Sequence, residues 1–165
     1  MKVDTVEKLL VHELQDIYSA EKQITRALPK IAKAATSEEL RAALETHLKE
    51  TEGQIDRLDK VFETLGKPSN GKMCQGMKGL LEEGSQALEE IDKGEIRDAA
   101  IISAAQRVEH YEMAAYGTVR TLAETIGRQE IAKVLQQTLD EEGNADHKLT
   151  QIAQKVNRQA LQKAA

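Results

Sequence analysis

Six acidic residues, Glu21, Glu50, Glu109, Glu112, Glu142 and Asp146, fall on or beside the apolar faces of long amphipathic segments, where a soluble protein normally places Leu or Ile. An unpaired charge inside a helix bundle costs several kcal/mol even after relaxation. Such a set is tolerated when the groups share protons, meet water or hold cations. Four facing helices that each aim carboxylates inward are the usual framework of a two-metal carboxylate site. Oxygen-rich sites suit hard or borderline cations such as iron(II) or manganese(II).

Glu109 and Glu112 give the sharpest signal, because both take core positions three residues apart on one helix face. Glu21 and Glu142 also replace an apolar residue in a stripe. Glu50 lies on a shoulder beside His47 and Gln54, since periodicity gives the core position to Thr51. Asp146 lies one turn beyond Glu142. Of the four histidines, His47 alone faces inward as a candidate imidazole ligand. His12 and His147 read as surface residues, and His110 as a surface or supporting group. The alternative is a dimeric or loosely packed bundle whose acids are wet or paired with Lys and Arg, the ordinary fate of a single Glu in a helix stripe. Several acids at matched positions on four helices weigh against it.

The elements that must position these groups are helical. The first helix runs from about Asp4 to Ala34, with Val6, Leu10, Leu14, Ile17, Ile24, Leu28 and Ile31 in a three-four stripe and Glu21 filling the gap. Pro29 is expected to kink its last turns. Thr36 and Glu39 form a capping-box signal for a second helix, which Gly66 and Pro68 terminate. A polar turn from Lys67 to Gly71 leads to a shorter helix from about Met73 to Ile91. Beyond Gly94 a third long helix carries Ile102, Ala105, Glu109, Glu112, Tyr116, Val119, Ala123 and Ile126 inward and ends at Gly127. The fourth long helix presents Ile131, Leu135, Thr138, Glu142, Ala145, Leu149, Ile152 and Val156. Short turns make two antiparallel hairpins, and the segment from Lys67 to Gly94 becomes the crossover between them. The interval from Glu21 to Glu50 is close to that from Glu109 to Glu142, so the hairpins bring their glutamates to similar height. Gly53, Gly117 and Gly143, inside helices, are explained either by close helix approach near that layer or by sequence drift. Tyr116 shares the stripe with Glu112 and can hydrogen-bond to a carboxylate.

The 165 residues suit a single domain spanning 1–165, with a core built from Leu, Ile, Val and Ala because aromatics are only 2%. A net charge of −5 without a basic block argues against nucleic acid as a partner. Cys74 is the only cysteine, which excludes an internal disulfide and suggests a reducing compartment. No signal pattern or long apolar run is present, so the expectation is a cytoplasmic protein without membrane attachment.

At these residues the chain resembles the ferritin-like superfamily, and specifically the YciE/YciF-type bacterial stress proteins. The resemblance runs over almost the full length. It is carried by the stretches Asp16-Ile-Tyr-Ser-Ala-Glu21-Lys-Gln, His47-Leu-Lys-Glu50-Thr, Val108-Glu-His-Tyr-Glu112 and Glu141-Glu142-Gly-Asn-Ala-Asp146. It implies a stress-associated, dimeric, ferritin-like bundle. More distantly the chain is similar to rubrerythrins, di-iron proteins that reduce hydrogen peroxide. Their pattern is a Glu on the first helix, E-x-x-H on the second, E-x-x-E on the third and E-x-x-H on the fourth. Glu21, Glu50, Glu109, Glu112 and Glu142 match its glutamates, whereas Gly53 and Ala145 stand where the histidines would be.

These likenesses imply two iron or manganese ions, bridged by Glu50 or Glu112 with Glu21, Glu109 and Glu142 as outer ligands, and peroxide or oxygen as substrate. The activity would be that of a rubrerythrin-like peroxidase or a ferroxidase. Asp146 or His47 would partly replace the lost imidazoles. No rubredoxin-like Cys pairs are present, so redox turnover requires an external reductant. The expected protein is an all-α, ferritin-like four-helix bundle with an additional crossover helix, forming a homodimer. The competing expectation is a metal-free helical stress protein acting through dimer or partner contacts. Shell-forming iron storage is a weaker third reading.

Overall fold

The computed structural model describes residues 2–163. Five helices follow in order: α1 (Val6–Ala34), α2 (Glu38–Leu65), α3 (Gln75–Glu90), α4 (Glu95–Thr125) and α5 (Gln129–Lys163). Helices α1 and α2 form one hairpin, α4 and α5 the other. Contacts of α1 with α4 and of α2 with α5 close the bundle, while α3 crosses between the hairpins and packs on α4 and α1. Periodicity implies these two hairpins with a crossover, and the arrangement is the ferritin-like one that the resemblance leads one to expect.

Local chemistry sets the boundaries. Thr5 Oγ1 accepts from the Lys8 amide, so α1 begins slightly later than the apolar stripe suggests. Gly66 adopts φ 62° at the end of α2, and Gly127 φ 77° after α4. After α4 the Gly127 and Arg128 amides return to the Glu124 and Ala123 carbonyls, which satisfies acceptors a helix end would leave bare. The crossover helix is shorter than its predicted span, because the Cys74 thiol sits at its N-cap and accepts from the Met77 amide.

The predicted cap of α2 requires correction. Ser37, not Thr36, is the capping residue, and its hydroxyl accepts from the Leu40 amide. The Thr36 and Ser37 amides instead donate to Asp98 on α4, at 2.8 and 2.7 Å. Asp98 is buried, and it ties the α1–α2 turn to the other hairpin. Sequence periodicity did not single it out, because a lone Asp near a helix start reads as favourable helix-dipole chemistry.

Close helix approach does not account for the three helix-internal glycines. A Cβ on Gly53 or Gly117 would meet nothing within 4 Å, and one on Gly143 only Met113 Sδ at 3.9 Å. The glycines that a Cβ would crowd are Gly71, at 2.7 Å from Gln15 Cβ, and Gly76, at 2.8 Å from the Tyr111 ring. That ring holds α3 in place: its hydroxyl donates to Asp16 on α1 at 2.8 Å and lies 3.0 Å from Cys74 Sγ.

The apolar core is divided. One cluster, including Ile24, Leu28, Leu44, Ile102 and Ile152, fills the end of the bundle near the α1–α2 turn. A second, including Leu10, Leu14, Leu58, Val119 and Leu135, fills the opposite end. Buried Glu21, His47, Thr51, Gln54, Glu109, Glu112, Thr138 and Glu142 occupy the intervening heights of their helices. A polar layer therefore crosses the middle of an otherwise hydrophobic bundle.

Replacing Asp98 with Ala leaves two amides without their acceptor, and each unsatisfied buried group costs about 1–3 kcal/mol. Asp98→Ala should lower the unfolding free energy by about 2 kcal/mol or more in urea titration, with a smaller loss in Asp98→Asn, which retains one carbonyl acceptor.

Candidate metal centre

The polar layer draws groups from all four long helices. Helix α2 contributes His47, α4 contributes Glu109 and Glu112, and α5 contributes Glu142. One ligand atom from each of these four lies within 4.8 Å of all the others. His47 Nε2 is 3.3 Å from Glu109 Oε1 and 3.9 Å from Glu142 Oε2. From α1, Glu21 reaches the same layer and accepts a short hydrogen bond from the Tyr116 hydroxyl. The three-residue step between Glu109 and Glu112 puts both on one face, as the sequence pattern requires. Their presence on the buried face of α4 explains why its apolar periodicity is weak.

Most of these atoms have no hydrogen-bond partner in the protein. Both oxygens of Glu112 and of Glu142, Oε2 of Glu109 and of Glu21, and both His47 ring nitrogens are buried without one. His47 approaches its acidic neighbours without hydrogen-bond geometry. Native interiors rarely leave such groups bare, and each instance calls for an ion, a water or a functional role. Convergent carboxylate oxygens with one imidazole are a donor set that fits iron(II) or manganese(II).

Without a cation, protons must limit the charge. Burial, reinforced by neighbouring carboxylates, holds Glu109 and Glu112 well above the usual carboxylate range. Burial and the Glu142 charge push Glu21 up to about 7, against lowering by the Tyr116 hydrogen bond. For His47 burial alone would lower the pKa, but Glu50, Glu142 and Glu21 outweigh it and leave the imidazole raised. Tyr116 is also raised, first by burial and then by the Glu21 charge.

The predicted site residues separate into three positions. His47, Glu109, Glu112 and Glu142 converge, with Glu21 alongside. Glu50 stands at the rim, its side chain 41% exposed and its Oε2 3.6 Å from His47 Nδ1. Asp146 lies outside the group. Its Oδ1 accepts from Gln106 at 3.1 Å and sits 3.3 Å from the exposed His110. Thus His47 is the buried imidazole, while Gly53 and Ala145 leave none at the rubrerythrin-type positions.

One flanking network escaped sequence reasoning. Arg57 grips Glu141 with both guanidinium ends, Nη1 donating to Oε1 at 2.8 Å, and Gln54 Nε2 donates to Oε2 at 3.2 Å. Glu141 lies below its usual pKa range because these hydrogen bonds overcome its desolvation. The three-residue spacing of Gln54 and Arg57 was the available signal, since it places both on one α2 face.

A helical ferritin-like bundle with an acidic layer across its core is the class that fold and site define. Comparison with known proteins makes this specific. Residues 5–162 match the family model described as "Domain of unknown function (DUF892)". Protein YciF of Escherichia coli (strain K12) is 49% identical over 166 residues, which cover 99% of this chain and 100% of that protein. The crystal structure of the E. coli stress protein YciF superposes with a TM-score of 0.91 at 48% identity, covering 94% of this chain and 99% of that one. The YcfI protein of Rhodopseudomonas palustris gives a TM-score of 0.87 at 47% identity, covering 90% and 95%. The chain belongs to the YciF-type DUF892 family. No helix among the described residues is long and apolar enough to cross a membrane.

The protonated layer has a consequence for stability. Unfolded carboxyl groups ionise near 4.5, whereas Glu21, Glu109 and Glu112 keep their protons to higher pH when folded. The folded chain then binds more protons, so stability is fully present below the unfolded value and declines as pH rises through the folded values. The raised His47 acts in the same direction above its unfolded value of 6.5. Urea unfolding of chelator-treated protein should show stability falling from about pH 5 to pH 8, and Glu112→Gln should flatten the slope.

Proposed function

We propose that this protein is a stress-response member of its family that binds iron or manganese in the central layer, as two ions held by bridging carboxylates. The observation that carries this reading is the convergence of His47, Glu109, Glu112 and Glu142 with buried oxygens and nitrogens that no protein group satisfies. Glu21 would complete the set from α1, and Glu50 stands where it can reach the same centre from the rim. When bound, such a metal pair supplies Lewis acidity and electron transfer, the chemistry needed to reduce peroxide or oxygen.

The chain's own residues have definable parts. Tyr116 donates to Glu21 and fixes which of its oxygens faces the layer. His47 supplies the nitrogen donor that Gly53 and Ala145 do not. The apolar clusters above and below exclude water, which strengthens the hold of the acidic groups on any cation. Electrons for turnover would come from an external reductant, since Cys74 is buried and engaged with Tyr111. Assembly as a homodimer belongs to the same proposal.

A second reading follows from Gly53 and Ala145. With two imidazoles missing from the rubrerythrin-like pattern, protons alone would neutralise the layer, and the protein would act as a metal-free helical stress protein through its surfaces. Elemental analysis of protein purified without chelator, then iron(II) and manganese(II) titration, separates the readings. The metal reading expects about two ions per chain, a melting temperature that rises with metal concentration, and loss of uptake in Glu109→Ala. Unchanged melting with no uptake would establish the metal-free alternative.

A further inference from the structure

Beside the polar layer the bundle contains a chamber of about 450 Å³, lined from all five helices. Pockets of this size with mostly apolar walls and a few convergent polar groups are the usual form of small-molecule sites. The room comes from small residues: Ala27, Ala42, Ala43, Ala104, Ala105 and Ala145 all lie on the wall. Two of them, Ala105 and Ala145, occupy inward stripe positions that a tightly packed bundle would give to larger side chains. Ala145 also stands where the rubrerythrin-type pattern has a histidine, so this substitution opens space beside the acidic group.

The wall is chemically graded. On the α3 side it consists of Leu80, Leu81, Gly84 and Leu88, and these leucines stay only partly buried although they pack against the core. Its deepest polar groups are His47 and Glu109, both over nine-tenths buried, with the His47 nitrogens and Glu109 Oε2 unpartnered. Toward the outside, Glu39 and Lys148 pair with each other at 3.3 Å, so neither offers a free charge to a ligand. An apolar wall penalises a charged guest, and the half-exposed Glu50 at the rim repels an anion.

We propose that this chamber binds one elongated, uncharged apolar molecule with a single hydrogen-bonding end group, the end group beside His47 and Glu109 and the chain against α3. The site adjoins the proposed metal centre and shares those two residues with it, but ligand binding and metal uptake are separable. The probe is 1-decanol, with decanoate and decyltrimethylammonium as charged analogues of equal chain length, titrated by calorimetry into the full-length protein. Manganese(II) uptake is measured in parallel.

The expected result is saturable binding of one 1-decanol per chain, at least tenfold tighter than either charged analogue. Ala105→Leu and Ala43→Leu, which fill the chamber while keeping His47 and every glutamate, should each weaken it tenfold or more and leave manganese uptake as in the parent chain. In the parent protein, nuclear Overhauser contacts should run from the decanol methylenes to the Leu80 and Leu88 methyls, a readout independent of whether the variants fold. Absence of saturable binding, equal affinity for a charged analogue, or binding unaffected by both variants would overturn the proposal. So would an affinity that falls as protein concentration rises, because a second copy of the chain would then occupy the chamber. Loss of manganese uptake with decanol binding intact would remove the metal reading and leave this one standing.

Discussion

The structure depends on how five acidic and basic groups, Glu21, Glu109, Glu112, Glu142 and His47, survive together without water. Coulomb repulsion among carboxylates strengthens as the dielectric falls, so the layer cannot exist fully ionised and alone. Protons or cations must be present, and both solutions use the same convergent geometry. Apolar clusters on either side hold the layer at fixed height. Tyr116, entirely buried, directs its hydroxyl to Glu21 instead of leaving another polar atom bare. The flank is closed by Arg57 and Glu141, a pair that satisfies its own charges and so leaves the central acids to find other partners.

Much of this was legible before coordinates. Helix number, the two hairpins and the crossover follow from three-four periodicity and from glycines at 66, 94 and 127, where positive φ is in fact adopted. Glu21, Glu109, Glu112 and Glu142 were visible because a stripe makes a misplaced acid conspicuous. Glu50 was harder: it lies on a shoulder three residues from the inward-facing His47, and periodicity gives the core position to Thr51. The structure turns His47 in and leaves Glu50 at the rim. Asp146 was drawn toward the site by proximity to Glu142, but its carboxylate pairs with Gln106 across the α4–α5 seam. Asp98 and Glu141 were missed for a common reason. Each acts through a partner distant in the chain, and helical periodicity by itself does not say which residues of other helices will meet.

The missing imidazoles and the chamber are connected. In a rubrerythrin-like pattern position 145 would fill space with a ring and contribute a ligand. An alanine there removes a donor and vacates volume in one step, with Ala105 enlarging the gap. The alanine that departs from that pattern therefore leaves apolar room beside the acidic group. The grip of Tyr111 on α3 complements it. Because a ring against Gly76 fixes the crossover helix, Leu80, Leu81 and Leu88 need not be fully packed to hold it.

Asp98 has a temporal implication. Its carboxylate serves the amides of Thr36 and Ser37, which precede it by 62 and 61 residues. A ribosome exposes that bend well before the residue that completes it. The amino-terminal half must therefore wait, hydrated and incompletely locked, until the second hairpin emerges. The carboxylate layer, which draws Glu109 and Glu112 from α4 and Glu142 from α5, cannot be complete before those helices have emerged either.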